Sequence, residues 1–400
     1  MYDLHLSEEQ LAIRDTVRDF VAEEIAAAAI HPDRLEPFDP PLPVEFIDKA
    51  AELGLRTLAL SEDVGGAGAD TLTCCLVAEE LAAGDTDVAA VLAQTALVGG
   101  LLFGQLTNDE QRARLMPAFL EDNSYHLALA DGEAGTDTSL GINYHRPRDG
   151  ADALATTAVQ GADGTWVVNG AKSRVANAPI AKLIAVTAST EATESGTVML
   201  LVSADAAGLE VSEVNRDGGW YHGSCGDVVL SDCQVPAENM LEPGDVAGQL
   251  ENNPVACAIN LGVARAAYAA AVDYAGIRVQ GSRPIIEHQA IGGKLAEVAI
   301  NLEVARSIIW QAAWAADHPD AVGDGSLSDL PQATIARVAS SQMLYRAAKD
   351  AAECFGAMGV MRDMPLQKYI HDTRMFLHTG AGNDDAKLAI AEALAGFRPA

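Results

Sequence analysis

The sequence predicts an α+β protein in which helices are followed by a β domain and then by a longer helical bundle. Three observations predict it. Apolar residues recur at helical spacing through the first third; short β-branched runs broken by turn residues begin near residue 122; helical periodicity returns from about Leu250 and persists to Phe397. The chain is therefore divided into an N-terminal all-α domain (1–121), a middle, β-barrel-like domain (122–242) and a C-terminal α-helical domain, a four-helix bundle (243–400).

Each element has a local cause. In the first helix, Ser7 stands three residues before Gln10, a capping-box spacing, and Leu11, Val17, Phe20, Val21 and Ile25 form one apolar face. Pro43 marks a second helix start and Gly54 its end, and Thr107 three residues before Glu110 marks another start. "GTWVVNG", "KLIAVTA", "GTVMLLVSA" and "GLEVSEV" read as strands. After the exit loop "AENMLEPGDVAG", three long helical stretches begin at "NPVACAI", "IEHQAIG" and "LPQATIA".

With 400 residues, 49% of them apolar, the chain can bury a large core. A formal charge of −31 argues against nucleic acid, whose phosphates require a basic face, so any anionic ligand needs a local basic pocket. Six cysteines without C-x-x-C spacing point to reduced thiols rather than disulfides or zinc, and the nine histidines show no metal spacing. The start "MYDLHLSEEQ" has no signal-peptide pattern, and no stretch of about 18 uninterrupted apolar residues suggests a membrane span. The expected location is the cytoplasm. Neither a G-x-S-x-G elbow nor a Walker loop occurs.

The order of elements, together with "ALADGEAGTDTSL", "WVVNGAKSRVANAP", "VVLSDCQVPAENML", "IEHQAIGGKLAEVAINLEVAR" and "RMFLHTGAGNDDAKLAIAEAL", resembles the acyl-CoA dehydrogenase family over essentially the whole chain. The resemblance implies FAD as cofactor and an acyl-CoA or acyl-carrier-protein thioester as substrate. It also implies an electron-transfer flavoprotein as acceptor and a homo- or hetero-oligomer, dimer or tetramer. In such enzymes a carboxylate abstracts the α-proton while the flavin takes hydride from the β-carbon.

Most members carry that base as a Glu in the turn before the last helix, and here the position falls on Gly380. Asn383, Asp384 and Asp385 read as a cap and dipole complement of the next helix. Members with the base on the first long C-terminal helix would place it at Asn252; Glu251, one residue earlier, is turned about 100° away and is the catalytic candidate that is left. For substrate the resemblance singles out Thr136 and Asn253. For cofactor it assigns Ala130, Thr136, Arg174 and Ala176 in the middle domain, where a Thr, a Trp and a second Thr of relatives have become Ala130, Arg174 and Ala176. In the C-terminal domain it assigns Arg278, Gln289, Glu353, Gly356, Gly382, Asn383 and Asp384; Arg278, Glu353 and Gly356 would reach the FAD pyrophosphate and adenine across a dimer interface, with Gly281 replacing a Phe, Ala357 a Gly and Glu353 a Gln. A carboxylate at Glu353 beside a diphosphate is unfavourable unless turned away or neutralised. His288 reads as a hydrogen-bonded residue, not a ligand.

The expected function is FAD-dependent oxidation of the Cα–Cβ bond of an acyl thioester, with this chain as the base-deficient half of a heteromeric enzyme. A lyase, isomerase or cyclase, or a non-catalytic subunit on the same scaffold, is the alternative.

Overall fold

Four of the N-terminal helices begin on a side-chain cap that the sequence supplies. A computed structural model of the chain describes residues 5–31, 35, 41–133, 154–213, 222–241, 253–323, 325, 327–378 and 382–396. Helix α1 (Glu8–Phe20) starts on the expected capping box, in which the Ser7 hydroxyl accepts from the Gln10 N–H and the Gln10 side chain accepts from the Ser7 N–H. Helix α2 (Val44–Glu52) follows Pro43 and stops before Gly54, whose φ of +78° is left-handed. Asp70 and Asp85 cap α3 (Thr71–Gly84) and α4 (Thr86–Leu101). Helix α5 (Asp109–Glu121) starts one residue later than expected, because Asn108, not Thr107, forms the capping box with Gln111. The Thr107 hydroxyl instead donates to the Leu102 carbonyl at 2.9 Å, closing the π-helical turn Leu102–Leu106 that extends α4.

The middle strands are β1 (His126–Ala130), β2 (Thr157–Gln160), β3 (Trp166–Ala176), β4 (Ala181–Ser189), β5 (Thr197–Ser203), β6 (Leu209–Glu213) and β7 (Cys225–Val235). They form one mixed sheet in the order β1-β4-β2-β3-β7-β6, with β5 antiparallel to β4 and β1 parallel to it. The sheet curls enough for the Ser173 N–H of β3 to donate to the Gly132 carbonyl just beyond β1. Trp166, Val168, Ile184, Leu200 and Val228 fill the inner face.

The last part holds α6 (Pro254–Ile277), a hairpin of β8 (Val279–Gln280) and β9 (Arg283–Pro284), α7 (Gln289–Asp317), α8 (Gln332–Glu353), α9 (Leu366–Met375) and α10 (Gly382–Leu394). One apolar core runs through both helical parts, from Val17 and Leu81 to Leu261, Val298 and Leu344. Helices α3 and α6 approach so closely that a Cβ on Gly262 would lie 2.2 Å from the Glu79 carbonyl oxygen, so only glycine fits there. Two helical stretches, Thr86–Leu106 and Pro254–Ile277, are apolar and long enough by composition to cross a membrane, yet 61% of each apolar window is buried inside the fold. Their apolarity is that of core helices.

Around this core, α3 offers two buried carboxylates. Arg265 of α6 grips Glu80 through both guanidinium nitrogens, at 2.9 and 2.5 Å, and reaches Glu79 at 3.2 Å. Arg18 of α1 binds Glu80 at 2.7 Å and Arg306 of α7 binds Glu79 at 2.8 Å. Burial raises the pKa of Glu80, but its bonds from Arg265 and Arg18 outweigh this and hold it below the ordinary value.

Candidate active site

The end of β1 and the bulged middle of β3 form one side of the site. The β3–β7 register slips between Lys172 and Val175, and within that bulge Arg174 takes a left-handed φ of +51°. Its N–H donates to Asp227 Oδ1 at 2.8 Å, which holds a conformation otherwise unfavourable for arginine. The Arg174 side chain is exposed, as are Asp131 and Gly132. Ala130 is fully buried and Ala176 half-buried, so the two positions where relatives carry threonine present no hydroxyl.

Beneath this surface lies a polar knot that sequence reasoning missed. Lys172 Nζ is 2.9 Å from Glu133 Oε1 with both side chains buried, and it also donates to the Asp131 carbonyl (3.3 Å) and to Thr187 Oγ1 (3.2 Å). Glu133 in turn accepts from the backbone N–H groups of Ala155 (2.7 Å) and Thr156 (3.0 Å). A signal existed: Trp166, Val168, Gly170 and Lys172 share one strand face, so a lysine falls where the alternation points inward and must find a carboxylate. Burial lowers the Lys172 pKa against the pull of Glu133. Burial pushes the Glu133 carboxyl up, but bonds from Thr156 and Lys172 and the backbone donors prevail and hold it at about 2. The carboxylate is the better served partner, because it gains two main-chain N–H donors beside the ammonium.

That imbalance sets a pH dependence. Between the ordinary Glu value of 4.5 and the folded value of about 2 the unfolded chain binds the extra proton, so the contribution is complete above about pH 4.5 and is lost as pH falls towards 2. Urea midpoints measured from pH 6 to pH 3 should fall with a component on the order of 2 kcal/mol that is absent in Glu133→Gln; identical pH profiles for the two proteins would refute the assignment.

The hairpin after α6 carries the second group of residues that the resemblance assigns to the cofactor, the group it places across a dimer interface. Gly281 and Ser282 have φ of +60° and +70°, the two positive values of a type I′ turn. Glycine at 281 therefore suits this turn better than the phenylalanine of relatives. The turn folds Arg283 back onto His288, with Arg283 Nη2 3.3 Å from Nδ1; His288 Nε2–H donates to the Gln280 carbonyl at 3.0 Å, so the ring is hydrogen-bonded as expected. Arg278, Arg283 and Gln289 are all exposed around the start of α7, a helix whose first turn has no side-chain cap. Glu353 is ion-paired with Lys294, whose hydrogen bond holds the carboxyl below its usual range. The charge that the sequence raised as a problem is neutralised by the neighbouring helix. Gly356 follows α8 with φ +58° and open space around it.

The closing turn lies between α9 and α10. Asn383 does not cap α10, as its sequence position suggested: the helix starts at Gly382, and the buried Asn383 amide donates to Ser341 Oγ at 2.9 Å. Asp384 is 97% exposed and pairs with Lys387 at 3.1 Å, away from the protein interior. Asp385 joins it in the first turn of α10. Just before the turn, the buried His222 of the middle domain stacks on Phe376 at 4.9 Å, with Nε2 3.8 Å from Asp372 Oδ1. Asp372 also takes the Lys368 ammonium and the Thr86 hydroxyl, so all three parts of the chain meet here. Thr136, Glu251 and Gly380 lie outside the described residues.

An apolar cavity of ≈ 40 Å³ opens between α3, α4 and the start of α6, lined among others by Leu55, Leu58, Cys74, Leu81, Ala93 and Val255. Asn253 caps α6 beside it, accepting from the Val255 N–H at 2.9 Å. Burial pushes the Cys74 thiol up to about 12, so it is an inert wall. All six cysteines are free thiols.

Helix, curled sheet and bundle, with an exposed arginine cluster at an uncapped helix start and an apolar cavity beside the bundle, define a scaffold that can receive a nucleotide-bearing cofactor and an apolar acyl group. Comparison with known proteins gives the class its family. The chain matches the acyl-CoA dehydrogenase N-terminal domain over residues 7–123, the middle domain over 147–233 and the C-terminal domain over 247–394. It is 32% identical to benzylmalonyl-CoA dehydrogenase of Aromatoleum aromaticum, over 98% of this chain and 99% of that one, and 29% identical to an acyl-CoA dehydrogenase of Bacillus subtilis, over 98% and 100%. The solved butyryl-CoA dehydrogenase of Megasphaera elsdenii superposes with a TM-score of 0.81 at 25% identity, covering 98% of this chain and all of that one. The chain belongs to the acyl-CoA dehydrogenase family, whose members are FAD flavoprotein oxidoreductases acting on acyl-CoA. It is an oxidoreductase of that kind, and the lyase, isomerase and structural alternatives are not favoured.

The described residues fit FAD. Two exposed arginines around uncapped helix amides suit a diphosphate. Near the alanines at 130 and 176, the exposed backbone at Asp131 and Gly132, the Ser173 hydroxyl and the Arg174 guanidinium are polar groups that would be available to a flavin ring.

Proposed function

We propose that this chain is the base-deficient member of a heteromeric acyl-CoA dehydrogenase and that its acyl site takes a short, uncharged apolar tail. The observation that carries the first half is Gly380 in the acid position, with the first described carboxylate after it, Asp384, turned to solvent. Asp131, Gly132 and Arg174 would face the FAD ring, and Arg278, Arg283, Gln289 and the start of α7 would hold the diphosphate of the FAD bound by a neighbouring subunit. FAD supplies the two-electron acceptor. The chain's own residues bind, orient and enclose, while a partner of the same family supplies the carboxylate. Ile277, Val279, Ile286, Val360 and Met361 leave a broad exposed apolar area around the hairpin, and Ile300 and Val304 add a second stripe on α7, which supports an oligomer. An electron-transfer flavoprotein is the proposed acceptor and the cytoplasm the proposed location.

Purification from its native source is expected to yield a yellow protein, absorbing near 450 nm, with a second acyl-CoA-dehydrogenase-like chain in stoichiometric amount. A single chain species that turns over acyl-CoA alone would overturn the heteromer.

The cavity supports the second half. It has room for about three water-sized groups, and no charged residue is among its lining residues. Burying a carboxylate there without a partner is costly. Butyryl-CoA is therefore expected to raise the melting temperature of the holoprotein by several degrees and glutaryl-CoA, which adds a terminal carboxylate, by much less. An equal or larger shift with glutaryl-CoA would exclude the uncharged-tail assignment.

A further inference from the structure

The Glu133–Lys172 pair is buried, and Lys172 reaches the main chain of the exposed segment at the end of β1. We propose that Glu133 and Lys172 are positioning residues that fix the Asp131–Gly132 backbone as the platform for the FAD ring. The inference rests on the family's cofactor occupying this side of the middle domain.

Three features place the pair in that role. Lys172 reaches the Asp131 carbonyl itself, at 3.3 Å, so the ammonium fixes the peptide plane that follows β1. The Ser173 N–H, one residue on, donates to the Gly132 carbonyl at 3.2 Å, and the Thr187 hydroxyl donates to the Ala130 carbonyl at 3.4 Å. Three successive carbonyls at the strand end are thus pinned from below, which constrains how their intervening N–H groups face outward. Glu133 then joins this strand end to Ala155 and Thr156 across 22 and 23 positions of sequence. Thr156 is itself packed so tightly that a Cβ on Gly170 would meet its Oγ1 at 2.6 Å. With alanines at 130 and 176, main-chain geometry carries a larger share of ring recognition here than side-chain hydroxyls do, so its support is functionally exposed.

The test uses the full-length protein. FAD dissociation constants by fluorescence quenching, the visible flavin spectrum and apoprotein melting temperatures are measured for wild type, Glu133→Gln, Lys172→Met and Val168→Ala. The last removes buried methyl groups from the same sheet's core without touching the pair, and controls for general destabilisation. Glu133→Gln and Lys172→Met are expected to weaken FAD binding at least tenfold and shift the 450 nm band, while Val168→Ala stays within twofold of wild type. FAD binding by either pair variant equal to wild type, or an equal loss in Val168→Ala, would overturn the positioning role and leave the cofactor assignment standing. Failure of the wild-type chain to take up FAD at all would remove that assignment and the proposal with it.

Discussion

Gly380→Glu is expected to raise acyl-CoA dehydrogenation by the isolated chain about 10²–10⁴-fold, the range in which a positioned general base contributes. The residue at 380 has no side chain, and the described acid nearest after it points outward to Lys387. A carboxylate at 380 restores the proton acceptor without altering the helices on either side: Asn383 still ties the start of α10 to Ser341, and the Phe376–His222 stack still fixes the end of α9. Gly380→Gln, equal in size but unable to accept the proton, should give no gain. The companion change Asp384→Asn should also be without effect. A Gly380→Glu protein that binds FAD yet is no faster than Gly380→Gln would show that the missing acid is not what limits the chain. A large loss in Asp384→Asn would show that the surface aspartate had been wrongly set aside.

The second large effect is structural. Glu80→Ala is expected to lower stability by about 3–5 kcal/mol, the cost of removing one partner from a buried, hydrogen-bonded charge cluster. Glu80 answers Arg265 from α6 and Arg18 from α1, so its loss strands the Arg265 guanidinium beside Glu79 alone and unties α1 from the common core. The Arg18 side of the cluster is half exposed, and water takes over there; most of the cost arises at the α3–α6 contact, where Gly262 already permits the closest backbone approach. Chemical denaturation of Glu80→Ala and of Arg18→Ala separates the two, with the arginine variant expected to lose about 1 kcal/mol or less. Equal losses would place the energy on the surface side and contradict the ranking.

The fold was legible because its punctuation is local. Ser7–Gln10 and Gly54 state where helices begin and end, and the β-branched runs from Trp166 to Glu213 became strands β3 to β6. The start of α5 shifted by one residue because Thr107 closes a π-helical turn, a feature with no sequence signature. Asn383 failed as a cap for a related reason: α10 begins two residues earlier than its capping chemistry suggests, and the amide finds a partner on α8, 42 positions away. Long-range pairings of this kind follow from tertiary packing alone. Glu133 was equally hidden, since its partners, Lys172 and the backbone at 155 and 156, are brought together only by the curl of the sheet. Glu353 shows the reverse case, in which the sequence identified the difficulty and Lys294, one helix away, resolves it. The roles of Thr136, Glu251 and Gly380 stay with the resemblance that suggested them.

The most direct measurement is anaerobic mixing of the purified, FAD-loaded chain with butyryl-CoA while the flavin absorbance near 450 nm is followed. Without a carboxylate in its closing turn the wild-type chain should bind the thioester with no bleaching, and Gly380→Glu should bleach within a turnover. Rapid bleaching by the wild-type chain alone would contradict the loss of the base.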